Sequence, residues 1–224
     1  SYEEMLEMAS LGSKVLQTRS VELAMAYKMR TRVLSSFIAP DDMPPVRAEG
    51  NDEIGTTVCD EDEIVEKQIV SGIAFTRNEA KVSLINIADK PGVAARVFGP
   101  PAAANINVDM IVQNVSADGK SADITFTVTE AELPKALEVL KAAKGEVSYG
   151  ELRSSAGVAK VSVVGIGMRS HAGVAAKMFT ALAEKGINIL AIGTSEIKIS
   201  VLIDADYTEL AVRTLHSTYG LDKD

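Results

Sequence analysis

Lys81-Val82-Ser83-Leu84-Ile85 returns as Lys160-Val161-Ser162-Val163-Val164, at an offset of 79 residues. Two residues are then added in the following turn, and Gly92-Val93-Ala94-Ala95 returns as Gly173-Val174-Ala175-Ala176 at an offset of 81. Phe98 falls on Phe179 and Ile106-Asn107 on Ile187-Asn188 at that second offset. Self-similarity of this kind marks one supersecondary unit used twice, so the chain reads as a tandem.

Each copy carries the same order of elements. Val82 to Ile87 and Val161 to Ile166 are β-branched and apolar on both faces, as a central strand requires. A turn into a helix follows, with Pro91 placed for the first helical position in the first copy. Gly99-Pro100-Pro101 predicts an early end to that helix, because an interior proline costs about 3 kcal/mol. Second strands are expected at Ile106 to Val112 and Ile187 to Ile192. The third strands alternate: Ile124, Phe126, Val128 in one copy, Ile197, Ile199, Val201, Ile203 in the other, so one face of each is buried. A closing helix carries Leu133, Ala136, Leu137 and Leu140, matched by Ala211, Val212 and Leu215. The order βαββα needs one further strand to complete a ferredoxin-like βαββαβ fold. Glu146 to Leu152 can supply it after the first copy. Val70 to Phe75 can supply it from before the first copy, by crossing over to serve the second.

The first 37 residues differ in kind. Tyr2 to Leu11 and Ser20 to Met29 read as helices, the latter with Ser20 as N-cap, and Thr31 to Phe37 as a strand. A piece this short cannot bury a core alone, which predicts the edge of a larger domain. The chain opens at Ser1 on residues that already look like the middle of a fold, so a fragment is expected.

Charge is concentrated in one place. The chain carries a net −8, and between Asp41 and Lys67 ten acids face only Arg47 and Lys67, so the remainder is balanced. That run reads as a solvated connector; a metal site from Asp60 to Glu63 is the weaker alternative. Without a basic surplus and with only ten Phe and Tyr residues and no Trp, neither phosphate electrostatics nor base-stacking platforms for nucleic acid are supplied. No apolar run approaches the ~18 residues of a membrane span. A lone Cys59 agrees with a reducing compartment, and the cytoplasm is the expected location.

No catalytic constellation is visible. His171 and His216 lack partners at triad or metal-ligand spacing, and neither GxxxxGK[ST] nor GxGxxG after a strand occurs. The best ligand candidate is the turn Ala88-Asp89-Lys90-Pro91-Gly92-Val93-Ala94. Free N–H groups of Gly92, Val93 and Ala94 at a helix start suit a carboxylate, and Asp89 suits an ammonium. The same residues are equally read as an ordinary helix start with an acid near its dipole. The copies diverge here: Asp89 maps to Ser170 and Asp109 to Leu190, so the second copy has lost both acids and offers Asn188, Thr194, Ser195 and Glu196 instead.

These repeats resemble ACT domains. The strings SYEEMLEMASLGSKVL, VSLINIADKPGVAARVF, ANINVDMIVQNVS and INILAIGTSEIKISVLI together resemble the C-terminal part of bacterial aspartate kinases, over essentially the whole chain. The resemblance implies an α+β fold of two ferredoxin-like βαββαβ ACT modules after a short α/β remnant of an amino-acid-kinase domain. Its boundaries would be the kinase-domain edge at 1–40, an acidic linker at 41–67, a first module at 79–152, and a second built from 68–78 plus 156–222. It implies a parent enzyme using ATP and Mg to phosphorylate the β-carboxylate of aspartate, while this chain alone has no cofactor, no metal and no catalytic residue. Lysine and/or threonine would bind as effectors through Asp89, Gly92, Val93, Ala94, Asp109, Gln113, Ser116, Asn188, Ile189, Thr194, Ser195 and Glu196. Partners would be a second copy or a kinase subunit, joined through ACT modules. The alternative is a stand-alone ACT-type sensor or oligomerisation module, which has no need of residues 1–37.

Overall fold

The computed structural model of the protein describes residues 1–37, 55–64, 69–117 and 119–222. An N-terminal unit comprises α1 (Tyr2–Ser10), α2 (Thr18–Ala26) and a two-stranded ribbon of β1 (Thr31–Val33) and β2 (Thr56–Val58). The main sheet holds β3 (Gly72–Ala88), β4 (Asp109–Val115), β5 (Ser121–Thr129), β6 (Glu151–Val164), β7 (Ala191–Thr194) and β8 (Lys198–Asp204), in the order β4-β5-β3-β6-β8-β7. Helices α3 (Val93–Ala103), α4 (Leu133–Ala142), a short α5 (Lys144–Val147), α6 (Val174–Glu184) and α7 (Thr208–Thr218) complete the chain. The architecture is α+β with two ferredoxin-like repeats, and among the described residues no helix is long and apolar enough to cross a membrane.

Two long strands build both repeats. The second half of β3 pairs with β5, from Glu79 to Ala88, and with the start of β6, from Lys81 to Ile85. Its first half, Gly72 to Thr76, pairs instead with Lys160 to Val164 at the other end of β6. Val70 to Phe75 thus does cross over to serve the second repeat, and β6 returns the exchange through Glu151 to Ser155. Each repeat packs its helices on its own core. Leu84, Ile124, Phe126 and Leu140 centre the first, and Val161, Met178, Leu202's neighbours Val201 and Ile203, and Leu215 the second. Phe98 meets Phe126 edge-on at 5.3 Å, adding a specific aromatic contact to the burial.

Several boundaries differ from the sequence expectation, each for a physical reason. The helix α3 does not stop at Gly99 but runs through Pro100 and Pro101. Val93, Val97 and Pro101 recur every four residues on its buried face, and that burial outweighs the missing N–H groups. Second strands begin later than expected because Ile106 and Ile187 close the preceding helices. Ile106 N–H donates to Pro101 O and Ile187 N–H to Leu182 O, each after a left-handed residue, Asn105 at φ 55° and Gly186 at φ 69°. These are Schellman closures, with the following isoleucine buried against the helix end. Residues 144–147 are helical rather than extended, and α2 starts at Thr18, not after Ser20. Strand β1 stops at Val33 because its partner β2 offers only three residues. The third strand of the second repeat is buried on both faces, since Ser200 and Leu202 are enclosed as well as Ile199, Val201 and Ile203.

Of the acid-rich connector, residues 41–54 and 65–68 lie outside the described residues. The remainder is ordered and ion-paired rather than simply solvated. Asp60 caps a turn of 3₁₀ helix over Glu61–Glu63, Glu63 meets Arg30 at 3.2 Å, and Glu61 meets Arg169 at 2.8 Å. Among the described residues no group of His, Cys, Asp and Glu is arranged to hold a metal ion.

The N-terminal unit is fastened to the face of the sheet that carries no helices of the repeats. Glu4 on α1, only 4% exposed, accepts from Ser71 Oγ at 2.6 Å and from Ile166 N–H at 2.8 Å. Leu11 packs on Ala74 and Val164, and its carbonyl accepts from Thr76 Oγ1 at 3.0 Å. Gly12 follows at φ 102°, with Phe75 O only 2.5 Å from where a Cβ would lie, so no other residue fits that turn.

Candidate functional site

The expected ligand turn is built as a helix start preceded by a left-handed glycine. Gly92 at φ 87° is the N-cap of α3, and nothing lies within 4 Å of a Cβ placed on it. Gly173 repeats this before α6 at φ 93°, equally open. Asp89 N–H donates to Lys120 O at 3.0 Å, tying the turn to the hairpin that joins β4 to β5. In that hairpin Ser116 accepts from Ser121 Oγ at 2.8 Å. Asp89, Gly92, Ala94 and Ser116 therefore share one end of the first repeat. Val93 does not belong with them: its side chain is 5% exposed within the first core, and its N–H donates to Lys90 O at 3.1 Å.

Asp109 is at the opposite end of β4, seven residues from Ser116, about 20 Å along an extended strand. It starts a β-bulge. The β4–β5 register shifts between Asp109 and Val112, and Met110 takes φ 44°, unusual for a residue with a side chain. The bulge aims Asp109 across the sheet at Lys160 of β6, which it accepts as a hydrogen-bond donor. Lys160 is 5% exposed, and Glu79 of β3, 7% exposed, lies 3.6 Å from its ammonium. Burial raises the Glu79 carboxyl above its usual range, only partly offset by Lys160. Asp109 goes the other way: burial works against its charge, but the bonds from Lys160 and the Met110 N–H hold its carboxyl below the usual range.

The sheet coils far enough for its outer strands to touch. A Cβ on Gly193 of β7 would sit 3.6 Å from Met110 Cε of β4. Between the two edges is a cavity of about 230 Å³, lined by Asp109, Met110 and Lys160 on one side and by Gly193, Thr194, Ser195, Lys198 and Ser200 on the other. Leu11 at the end of α1 closes it. Lys198 also reaches Glu7 of α1 at 3.0 Å.

The remaining expected site residues are not gathered with either group. Gln113 is exposed on β4, and Asn188 is exposed before β7. Ile189 packs on the second core, and Glu196 faces Arg169 at 3.5 Å. Lys160, Glu79, Lys198 and Ser200 were not among the expected residues. A lysine inside the apolar run Val158–Val164 is the available signal, since lysine is almost never buried unless paired.

The fold and its paired edges define a tandem of ferredoxin-like modules that share strands and carry a polar cleft between them. The ACT-domain family model matches residues 82–143 and 161–219, and the chain belongs to that family. An aspartokinase of Pseudomonas aeruginosa is 51% identical over 222 residues, covering 99% of this chain. The chain spans about half the length of the curated relatives it matches, 51% in that case. A crystal structure of the regulatory subunit of aspartate kinase from Thermus thermophilus is 41% identical, covers 68% of this chain and 99% of that one, and superposes with a TM-score of 0.63. Escherichia coli aspartokinase III in complex with lysine and aspartate shares the fold, with 24% identity, a TM-score of 0.67, and coverage of 98% of this chain and 45% of that one.

Proposed function

We propose that this chain is the regulatory part of an aspartate kinase, binding lysine and/or threonine for feedback inhibition. The parent enzyme would use ATP and Mg to phosphorylate the β-carboxylate of aspartate. Residues 1–40 would be the edge of its kinase domain, 79–152 the first ACT module, and 68–78 with 156–222 the second. The observation that carries this reading is the fastening of α1 to the sheet. Glu4 bridges Ser71 and Ile166 at the second-repeat end of β3 and β6, and the Leu11 carbonyl accepts from Thr76 Oγ1 where β3 begins to pass from one repeat to the other. A ligand that shifts the repeats against one another therefore displaces α1. Coupling of about 1–3 kcal/mol, typical of allosteric systems, is enough to inhibit.

The ammonium of the effector would pair with Asp89 and its carboxylate with the open backbone at Gly92 and Ala94. Gln113, Ser116, Asn188, Ile189, Thr194, Ser195 and Glu196 would complete the site where modules of two chains meet. Exposed Ile111 and Val115 on β4 and Ile192 on β7 make these edges suited to pairing with a second copy or a kinase subunit.

The test is thermal unfolding with and without each amino acid. Lysine or threonine should raise the melting temperature of this chain, since a ligand of the folded state stabilises it. Asp89→Ala should remove the shift; an unchanged shift takes Asp89 out of the site. With ATP, Mg and aspartate the chain alone should show no turnover, and turnover would overturn the reading.

A further inference from the structure

We infer that the second repeat carries a purpose-built docking surface for the acidic turn at 60–63, with Arg169 as its positioning residue and Glu196 as the acid that competes for Arg169. Its regulatory meaning rests on the reading above, which it deepens by naming an exchangeable contact between the second repeat and the N-terminal unit. The docking itself needs no effector.

The surface arises where the two copies differ in length. Eight residues, 165–172, separate Val164 from Gly173, against six, 86–91, between Ile85 and Gly92. The shorter segment is tied within its own repeat: Asn86 N–H donates to Asp123 Oδ1 at 2.8 Å, and Asp89 N–H to Lys120 O at 3.0 Å. The longer one folds as a 3₁₀ turn over Ile166–Arg169 and meets the N-terminal unit and its connector at both ends. Ile166 gives its N–H to the buried Glu4 of α1. Arg169 gives one guanidinium nitrogen to both oxygens of Glu61, at 3.0 and 2.8 Å. Gly165 makes room for the turn, since a Cβ there would lie 2.3 Å from Ile69 O. His171 Nδ1, 2.8 Å from Gly167 O, ties off its exit.

The acidic turn divides its carboxylates between the two sides. Asp60 faces Lys28 at 3.6 Å and Glu63 faces Arg30 at 3.2 Å, both just ahead of β1, whereas Glu61 reaches the second repeat. The turn is preset by a capping box between Asp60 and Glu63, and the Glu63 and Ile64 N–H groups return to Asp60 O and Glu61 O. It therefore moves with the β1–β2 ribbon as one body. The two contacts made by the second repeat differ in kind. Glu4 is buried and accepts from Ser1, Ser71 and Ile166, so it is a fixed pin. Arg169 and Glu61 keep 41% and 37% of their side-chain surface open, and Arg169 Nε already lies 3.5 Å from Glu196 Oε2 in the turn between β7 and β8. A pair so exposed is weak and exchangeable. Movement of the β7–β8 turn towards Arg169 draws the guanidinium from Glu61 and frees the acidic turn, while Glu4 stays in place.

The experiment follows amide hydrogen exchange in the whole chain without added ligand. It compares Glu63, Ile64 and the β1–β2 ribbon with α4 of the first repeat as internal reference. Arg169→Gln and Glu61→Gln should each speed exchange in the turn and ribbon roughly two- to fivefold, the scale of a half-exposed ion pair, and leave α4 unchanged. The double variant should exchange no faster than either single one, because both remove the same bond. Glu196→Gln should slow exchange by relieving the competition, and should have no effect once Glu61→Gln is present. Unchanged exchange in Arg169→Gln, additive effects in the double variant, or a Glu196→Gln chain that exchanges no more slowly each overturns the inference and leaves the regulatory reading standing. Failure of lysine and threonine to raise the melting temperature does the reverse, removing that reading while the docking surface remains.

Discussion

The two repeats share a fold and differ in chemistry. Both open their first helix from a left-handed glycine, at φ 87° and 93°, and both close it with a Schellman turn and a buried isoleucine. Both also bridge neighbouring central strands by a hydroxyl pair, Ser83 with Thr125 at 2.8 Å and Ser162 with Ser200 at 2.7 Å. Yet Lys81 is half-buried with no ion pair among the described residues, whereas its counterpart Lys160 is buried between two carboxylates. One of those carboxylates, Asp109, comes from the first repeat, and its counterpart in the second is the apolar Leu190. The lesson is that duplication fixed the scaffold, and the asymmetric residues join the two halves. The acid kept by the first copy is held by the lysine of the second.

That asymmetry can be broken most severely at Lys160. Lys160→Met leaves Glu79 and Asp109 facing each other without a cation, and should lower unfolding free energy by about 3 kcal/mol. Lys81→Met should change it by no more than about 0.5 kcal/mol. Urea unfolding of the two variants makes the comparison, and equal losses would show that burial, not pairing, governs the site.

A milder test asks whether the equivalent glycines have diverged in role. Gly92→Ala and Gly173→Ala each force a side chain into the left-handed region, at about 1–2 kcal/mol apiece. Their melting temperatures should fall together. Only Gly92→Ala should also blunt the response to lysine or threonine, because the counterpart of Asp89 beside Gly173 is the uncharged Ser170. A matching loss of response at Gly173 would restore symmetry between the copies.

The smallest effect expected is a pH dependence. The Asp109 carboxyl is held below its unfolded value of about 3.9. Its contribution is therefore present above that value and is lost as pH falls through the lower folded value. Asp109→Asn should flatten the acid limb of a stability–pH curve below about pH 4, by under about 1 kcal/mol given how exposed this side chain is. An identical limb in the variant would mean that the bond to Lys160 does not persist in solution.

Read alone, the sequence determined the tandem, its element order and the loss of acids in the second copy. Repeats and hydrophobic periodicity are local signals: Val82 to Ile87 must be a buried strand wherever it sits, and Gly92 must precede a helix. The crossover of Val70 to Phe75 was legible too, because each copy lacked one strand. Tertiary structure alone decided three other matters. It carried α3 through Pro100 and Pro101, because burial of Val97 and Pro101 is a property of the packed core. It split the expected ligand residues between two ends of β4, since strand length is not visible as distance until the strands are paired. And it brought Asp109 to Lys160, 51 positions later in the chain, through the coiling of a six-stranded sheet and a one-residue bulge. Neither the coiling nor the bulge leaves a mark on the local sequence, so the apolar run around Lys160 signals a buried, paired lysine but not which acids pair with it.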